Sequence, residues 1–380
     1  MIKTKRQIDS PSTLSDASER PSLYSWLVFA LCFIFVENCF LNPIFKPLVF
    51  PVEDSSPDVT ALIGGLLGVA NQKNPVASAG GATAAPVLDT TPPVPGGSGI
   101  ISASPSGTYS ASTKAQVTLS WTAGTDNVTS QVNLTYQVYY SLSNNLTTLT
   151  NTLANGTPFS TAQAGLSGIA VNQLFANATY YFNVVLTDQA GNQSIYASQP
   201  STMMPAVYIF DSVSNTQGNI GTRANADTLC ANRMSAISAT SYPWKNSCSV
   251  VNAFISLSPA DTIWNIVKTV NAGVIILGSQ GMILASDKVQ LTSGTIQNTV
   301  RNAIPEYSSG SGWWSFSDFT GQFVSVDSCT NATSNSGAVS GRIGFPDITS
   351  SAWIDDAING EGSPSGATCD IPRTVFCICH

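Results

Sequence analysis

The distribution of cysteines constrains the fold of this chain more than any other feature. Six of the eight cysteines lie beyond residue 229: Cys230, Cys248, Cys329, Cys369, Cys377 and Cys379. An even number of cysteines clustered in one exported domain predicts a disulfide framework. Zinc binding would need close thiolate pairs of the Cys-x-x-Cys kind, and only Cys377 and Cys379 are near neighbours, at an unfavourable spacing. We therefore expect a disulfide-bonded C-terminal domain.

The N-terminal segment supports export. Residues 1–22 are polar and carry four basic side chains, and the apolar run Leu23–Val36 follows. This run has the length of a signal-peptide core and is short for a transmembrane helix, which needs roughly 20 apolar residues. Cys39 stands three residues beyond its end, so we expect residues 1–38 to be a lipoprotein signal peptide and Cys39 to carry the lipid. The VENC sequence departs from the usual Leu-Ala-Gly-Cys pattern, and an uncleaved anchor or ordinary cleavage are the alternatives.

Residues 39–90 are predicted to form a flexible tether, because they are rich in Ala, Gly, Pro and Ser and poor in large apolar side chains. About 50 residues of such chain reach on the order of 40 Å. Together with a lipid anchor, this predicts a protein held at the outer membrane or cell surface.

Apolar and polar residues alternate in the segment that follows the tether. The alternating sets are Val117, Leu119 and Trp121; Tyr136, Val138 and Tyr140; and Tyr180, Phe182, Val184 and Leu186. A period of two predicts strands with one buried face. Turn signals such as GTDN, SNN and DQAGN separate these strands, so an antiparallel sandwich is expected.

The segments LSWTAGTDNV, YQVYYS and LFANATYYFNVVLTDQAGNQS lie within residues 91–203. They are similar to strands B, C and F of a fibronectin type III domain, so residues 91–203 resemble that family. The resemblance implies that Trp121 is a core residue. It also implies that the Tyr180 hydroxyl bonds to nearby backbone, as in a tyrosine corner.

Residues 206–380 resemble the endostatin-like branch of the C-type lectin-like fold. The segments GNIGTRANADTLC, AFISLSPADTIWNIV, GWWSFSDFTGQFVSVDSC and SGATCDIPRTVFCIC carry the likeness. Helices are expected near residues 225–234 and 261–270, with a final strand in TVFCIC. The fold class expected is multidomain, with an all-β fibronectin type III-like sandwich followed by an α+β C-type lectin-like domain.

The whole chain resembles the leptospiral endostatin-like lipoproteins. Six cysteines allow 15 connectivities, and the resemblance implies Cys230–Cys377 and Cys329–Cys369, leaving Cys248–Cys379 as an extra pair. It also implies adhesion to host extracellular matrix, such as laminin or fibronectin, or binding of the complement regulator factor H. A calcium-dependent lectin and a structural envelope lipoprotein without a host ligand are the alternatives.

Two sets of residues are candidate binding sites in the C-terminal domain. Trp313, Trp314 and Phe316, together with Trp353, form an aromatic set of the kind that dominates protein interfaces, although core packing is the competing interpretation. Asp355 and Asp356 follow Trp353 and offer hard oxygen ligands for calcium, but a surface acidic turn is the simpler interpretation.

Charge and histidine content disfavour two functional classes. The formal net charge is −7, so general attraction to nucleic acid is not expected. The single histidine, His380, is the last residue, which disfavours mechanisms that need a histidine base or metal ligand. We expect no enzyme activity and no cofactor.

Overall fold

The computed structural model describes residues 88–307, 312–356 and 366–380. All of them belong to one compact unit, Thr83–His380. The predicted signal peptide and its Cys39, and the tether up to residue 87, lie outside the described residues. The described fold is mostly β-sheet with few helices, as expected for a β-rich chain.

Residues 88–205, here called the sandwich, contain two antiparallel sheets. One has the order β1–β2–β6, and the other has the order β4–β3–β7–β8, with β5 on β3 and β9 on β7. The strands are β1 (Ile101–Ser110), β2 (Lys114–Trp121), β3 (Thr135–Ser141), β4 (Thr157–Pro158), β5 (Gln163–Ala164), β6 (Gly168–Leu174), β7 (Thr179–Thr187), β8 (Gln193–Ile195) and β9 (Gln199–Thr202). One helix, α1 (Leu149–Asn155), begins after Thr148, whose hydroxyl accepts a hydrogen bond from the Asn151 amide.

The predicted alternation agrees with the observed burial in the sandwich. Val117 and Leu119 of β2 are fully buried and belong to the same apolar cluster as Tyr136 and Val138 of β3. The Trp121 ring lies 5.9 Å from the Tyr136 ring, so the core joins the two sheets. Apolar burial along one face of each strand stabilises this arrangement.

Residues 206–380, here called the C-terminal region, are built around a five-stranded sheet of order β11–β18–β10–β12–β13. Its strands are β10 (Ala206–Asp211), β11 (Val251–Phe254), β12 (Ile275–Gly278), β13 (Ile283–Ala285) and β18 (Phe376–Cys379). The β10–β12 pair is parallel and the others are antiparallel. Two-residue strands form two small ladders, β14 (Trp313–Trp314) with β16 (Ile343–Gly344), and β15 (Ser340–Gly341) with β17 (Ala367–Thr368).

The helices of the C-terminal region are short apart from the first. They are α2 (Arg223–Ala236), α3 (Ile263–Val267), α4 (Lys288–Leu291), α5 (Val300–Ala303) and α6 (Cys329–Ala332). The helix expected near residues 261–270 is only five residues long, and it begins after Thr262, whose hydroxyl accepts from the Asn265 amide. The α6 turn is left-handed, because φ is positive at all four of its residues.

The five-stranded sheet separates two apolar clusters. Every residue of β10 is buried, as expected for a strand that is covered on both faces. Tyr208 and Phe210 belong to the cluster that is continuous with the sandwich core, whereas Val207 and Ile209 belong to the other. The same alternation in β18 places Cys377 and Cys379 on the first side.

The sandwich and the C-terminal region are in direct contact. The Tyr208 hydroxyl donates to the Ala176 carbonyl at 3.0 Å, and the Tyr109 hydroxyl donates to the Gly281 carbonyl at 2.5 Å. Gly281 has φ +81°, and a Cβ there would lie 2.7 Å from the Tyr109 hydroxyl oxygen. Glycine therefore serves both the turn and the close approach.

Candidate functional site

Three disulfides hold the C-terminal region together. Cys230 in α2 is bonded to Cys377 in β18, Cys248 to Cys379, and Cys329 to Cys369. These are the three expected pairs. Two of the three bonds end on β18, so this interior strand of the sheet is fixed to α2 and to the segment before β11. Any site on the surface of this region therefore rests on a covalently fixed frame.

The predicted aromatic site is not at the surface. Trp313, Trp314, Phe316 and Trp353 all have 0% of their surface exposed. The Trp313 ring lies 5.9 Å from the Trp353 ring and 4.9 Å from the Phe376 ring, and Trp314 lies 5.3 Å from Phe316. Side chains with no accessible surface cannot contact a macromolecular partner. The proposed binding role of these residues is therefore wrong, and they belong to the core.

The predicted calcium pair is also placed unfavourably. Asp355 Oδ1 accepts a hydrogen bond from Arg342 Nη1 at 2.7 Å, and Arg342 Nε reaches Asp327 Oδ2 at 3.2 Å. Burial raises the pKa of Asp356 to about 6, so this carboxyl loses its proton less readily than a solvent-exposed aspartate. Calcium needs oxygen atoms that are free to coordinate it, and carboxylates bind it in their ionised form. The geometry therefore argues against a calcium site at Asp355 and Asp356.

One pair of aromatic side chains does reach the surface of the C-terminal region. Trp264 in α3 is 36% exposed and Phe319 is 42% exposed. Their segments are adjacent, because the Trp264 amide donates to the Gly321 carbonyl at 3.1 Å. We call Trp264 and Phe319 the exposed aromatic pair. All other described tryptophans are buried, so among them only Trp264 exposes its ring to a partner.

A tight turn presents Phe319. The Asp318 carboxylate accepts hydrogen bonds from the Thr320 amide at 2.9 Å, the Thr320 hydroxyl at 2.7 Å and the Gln322 amide at 3.0 Å. The Gly321 amide donates a hydrogen bond to the Asp318 carbonyl at 3.0 Å. Such side-chain to backbone bonds fix the turn locally. Phe319 is therefore displayed by an ordered turn.

The sequence contains a signal that predicts the exposure of Trp264, namely the spacing of apolar residues around it. In DTIWNIVKTV the positions Ile263, Ile266, Val267 and Val270 follow the i, i+3, i+4, i+7 spacing of one helix face, and all four are buried. Trp264 falls outside that stripe. A large aromatic residue off the apolar stripe predicts a side chain at the surface, where aromatic residues are enriched in interfaces.

The described residues that could hold a metal ion lie in the sandwich. Asp89, Asp126 and Asp188 each bring one carboxylate oxygen to within 4.8 Å of the others. The motifs GTDN and DQAGN contain Asp126 and Asp188, and their sequence predicts turns and no metal site. The three loops are far apart in sequence, so their meeting depends on the packing of the strands.

None of the described helices combines the length and apolarity that a membrane span requires. No protein-family model matches the chain, and no curated protein matches it.

Proposed function

We propose that this protein is an exported lipoprotein, anchored in the outer membrane through Cys39, that binds host proteins at the cell surface. The ligands proposed are extracellular-matrix proteins such as laminin and fibronectin, or the complement regulator factor H. In this proposal the sandwich is a fibronectin type III-like spacer, and the C-terminal region is an endostatin-like binding domain.

The observation that carries the proposal is the exposed aromatic pair on a disulfide-bonded frame. Interface hot spots are enriched in tryptophan, and aromatic residues in general are enriched at binding surfaces. Trp264 and Phe319 are displayed by a capped helix and an ordered turn, so little conformational entropy would be lost when a partner binds. Disulfides are typical of exported proteins, which agrees with the proposed location.

Details of the sandwich support its assignment to the fibronectin type III type. The Phe175 amide donates to the Tyr180 hydroxyl at 3.1 Å, the bond implied by the tyrosine-corner resemblance. Trp121 is 6% exposed and packs on Tyr136 and Tyr196. The lectin alternative is less favoured, because the Asp355 carboxylate is paired with Arg342 and burial disfavours the charged form of Asp356.

The test is binding of the oxidised full chain in detergent to immobilised laminin, fibronectin and factor H. Trp264→Ala combined with Phe319→Ala is expected to weaken binding at least 10-fold, because a single hot-spot residue contributes about 2 kcal/mol or more. The matched control combines Val132→Ala with Leu153→Ala, two exposed apolar residues of the sandwich, and should change binding less than two-fold.

Two results would count against the proposal. If the aromatic double variant binds as tightly as the unmodified chain, the site lies elsewhere. If the unmodified chain binds none of the three proteins, a structural role in the bacterial envelope becomes the better interpretation. Thermal unfolding of each variant shows whether a loss of binding reflects a loss of folding.

A further inference from the structure

A cleft of about 370 Å³ lies where the sandwich meets the C-terminal region. The ends of β3 and β6, the start of β7 and the turn between α1 and β4 line it from the sandwich, and Thr240 and Pro243 line it from the C-terminal region. Sites for small molecules have volumes of about 300–1,000 Å³. The cleft is therefore large enough for a compact ligand and far too small for a folded partner.

The described residues that line this cleft carry no charged side chain. Their polar groups are hydroxyls, as in Ser143 and Thr240, and side-chain amides, as in Asn155. A charged ligand that leaves water for such a cleft loses hydration and gains no opposite charge, which is unfavourable. The lining therefore favours a ligand that is polar and neutral.

Several polar groups in the cleft remain available to a ligand. The hydroxyls of Tyr140, Thr157 and Thr240 make no hydrogen bond to the described residues. Asn155 donates its Nδ2 to the Asn151 carbonyl at 3.0 Å, which leaves its Oδ1 as an acceptor. A hydroxyl both donates and accepts hydrogen bonds, so the cleft matches a ligand that carries many hydroxyl groups of its own.

Aromatic rings supply part of the apolar lining, and neighbouring groups fix them. The Tyr140 ring packs edge-on against the Tyr180 ring at 5.9 Å, and the Tyr180 hydroxyl accepts a hydrogen bond from the Phe175 amide at 3.1 Å. Lys114 Nζ lies 4.6 Å from the centre of the Phe175 ring. Flat apolar surfaces are thus held in place beside hydroxyl groups, which reduces the entropy lost when a ligand binds.

We propose that this cleft binds a neutral mono- or disaccharide. A sugar ring has a rim of hydroxyls and faces made largely of C–H groups, so it can exchange hydrogen bonds with the lining hydroxyls while one face packs on an aromatic ring. A hydrocarbon ligand would leave those hydroxyls unpaired. No carboxylate lies among the described lining residues, so this binding does not depend on calcium and is distinct from the lectin hypothesis based on Asp355 and Asp356.

The bound sugar would join the two regions, because both of them contribute to the cleft. Tyr140 and Phe175 belong to the sandwich, whereas Thr240 and Pro243 belong to the C-terminal region. A ligand that binds only the folded chain stabilises the folded state by mass action. The cleft shares no residue with the exposed aromatic pair, so sugar binding and host-protein binding can be tested separately.

The experiment is isothermal titration calorimetry of the oxidised full chain, in a detergent whose headgroup is not a sugar and with a calcium chelator present. The probes are maltose and N,N′-diacetylchitobiose. Each is titrated up to about 10 mM, which covers dissociation constants into the millimolar range. At least one of the two probes should bind, with one sugar molecule for each chain.

Variants locate the binding in the cleft. Thr240→Trp should weaken it at least about 10-fold, because the indole ring takes up space that the sugar needs. Thr228→Trp is the matched control, since Thr228 is an exposed threonine of α2 that does not line the cleft, and it should leave the binding unchanged. Tyr140→Phe keeps the ring and removes one hydroxyl, so a loss of about 2- to 10-fold is expected, as for one hydrogen bond.

Hydrogen exchange of the unmodified chain gives a second test that needs no variant. The sugar should slow amide exchange at residues 140–143 and 240–243 and leave residues 318–322 unchanged. The proposal is overturned if neither probe binds, if binding requires calcium, or if the sugar gives no protection at these residues. Tight binding by a folded Thr240→Trp variant would also overturn it, and thermal unfolding shows whether that variant is folded.

Discussion

The sandwich and the C-terminal region reach stable folds by different means. The sandwich has strands of up to ten residues, no cysteine and one basic side chain. The C-terminal region has strands of at most six residues, three disulfides and all of the ion pairs found among the described residues. Long strands bury apolar side chains on one continuous face, whereas irregular chain needs cross-links. Regular strands and covalent bonds are thus alternative ways to restrict the chain.

Removing the two longest cross-links should give the largest difference between the two regions. The Cys230–Cys377 bond spans 147 residues and Cys248–Cys379 spans 131 of nearly the same chain, so replacing all four cysteines with alanine should cost at least about 5 kcal/mol of unfolding free energy on a chain-entropy basis. The sandwich has no cysteine and should keep its amide protection in β3 and β7. Hydrogen exchange with mass spectrometry measures both regions in one sample. Equal loss of protection in β7 and β18 would show that the two regions unfold as one.

The buried ion pairs offer the next largest effect. Arg342 bridges Asp327 and Asp355, and these side chains are 15%, 3% and 6% exposed. Arg342→Leu removes the positive charge beside two buried carboxylates and should cost about 3–5 kcal/mol. Arg301→Leu is the control, because its pair with Asp347 is exposed and should contribute less than about 1 kcal/mol. Urea unfolding measures both, and similar losses would contradict the role of burial.

Acid should affect the two regions in opposite directions through Asp356 and Asp126. Burial raises the pKa of Asp356 from 3.8 to about 6, so the folded state keeps a proton that the unfolded state has lost. That contribution is complete below about pH 4 and disappears as pH rises to 6. Amide hydrogen bonds lower the pKa of Asp126, so its contribution is present at neutral pH and lost in acid.

Asp356→Asn should therefore remove a decline in stability between pH 4 and 6. Because Asp356 is only partly buried, we expect an amplitude of about 1–2 kcal/mol after allowing for solvent screening. Chemical unfolding across that pH range measures the slope for the unmodified chain and the variant. Parallel curves for the two proteins would refute the assignment to Asp356.

A single hydrogen bond in the sandwich should give the smallest effect. Tyr180→Phe removes the hydroxyl that accepts the Phe175 amide while keeping the buried ring. The expected cost is about 1 kcal/mol, the usual net contribution of one hydrogen bond. A thermal unfolding curve of the variant is the measurement. A loss above about 3 kcal/mol would mean that the ring itself has repacked.

Local patterns predicted the strands well and the sites poorly. Alternation located β2 and β7, because burial along a strand follows the period of its own sequence. Adjacent tryptophans such as Trp313 and Trp314 occur both in binding surfaces and in cores. That they are internal here follows only from the packing of Trp313 against Trp353 and Phe376, which are distant in sequence. Composition alone cannot distinguish an aromatic core from an aromatic interface.

The carboxylate cluster could not be derived from spacing, because its members come from three loops. Asp89 and Asp188 are about 100 positions apart in the chain, and their meeting depends on how the strands of the sandwich pack together. The number of acidic residues in the sandwich is informative all the same. A stretch of 118 residues with only three acidic side chains makes each of them conspicuous, and two of them lie in the turn motifs GTDN and DQAGN.

The contact between the sandwich and the C-terminal region has a mechanical consequence. Only residues 203–205 connect β9 to β10, and three residues extend by no more than about 10 Å. A force that pulls the two regions apart acts against the Tyr208 to Ala176 and Tyr109 to Gly281 hydrogen bonds. Under flow, the short link and these buried contacts would therefore oppose the separation of the sandwich from the C-terminal region.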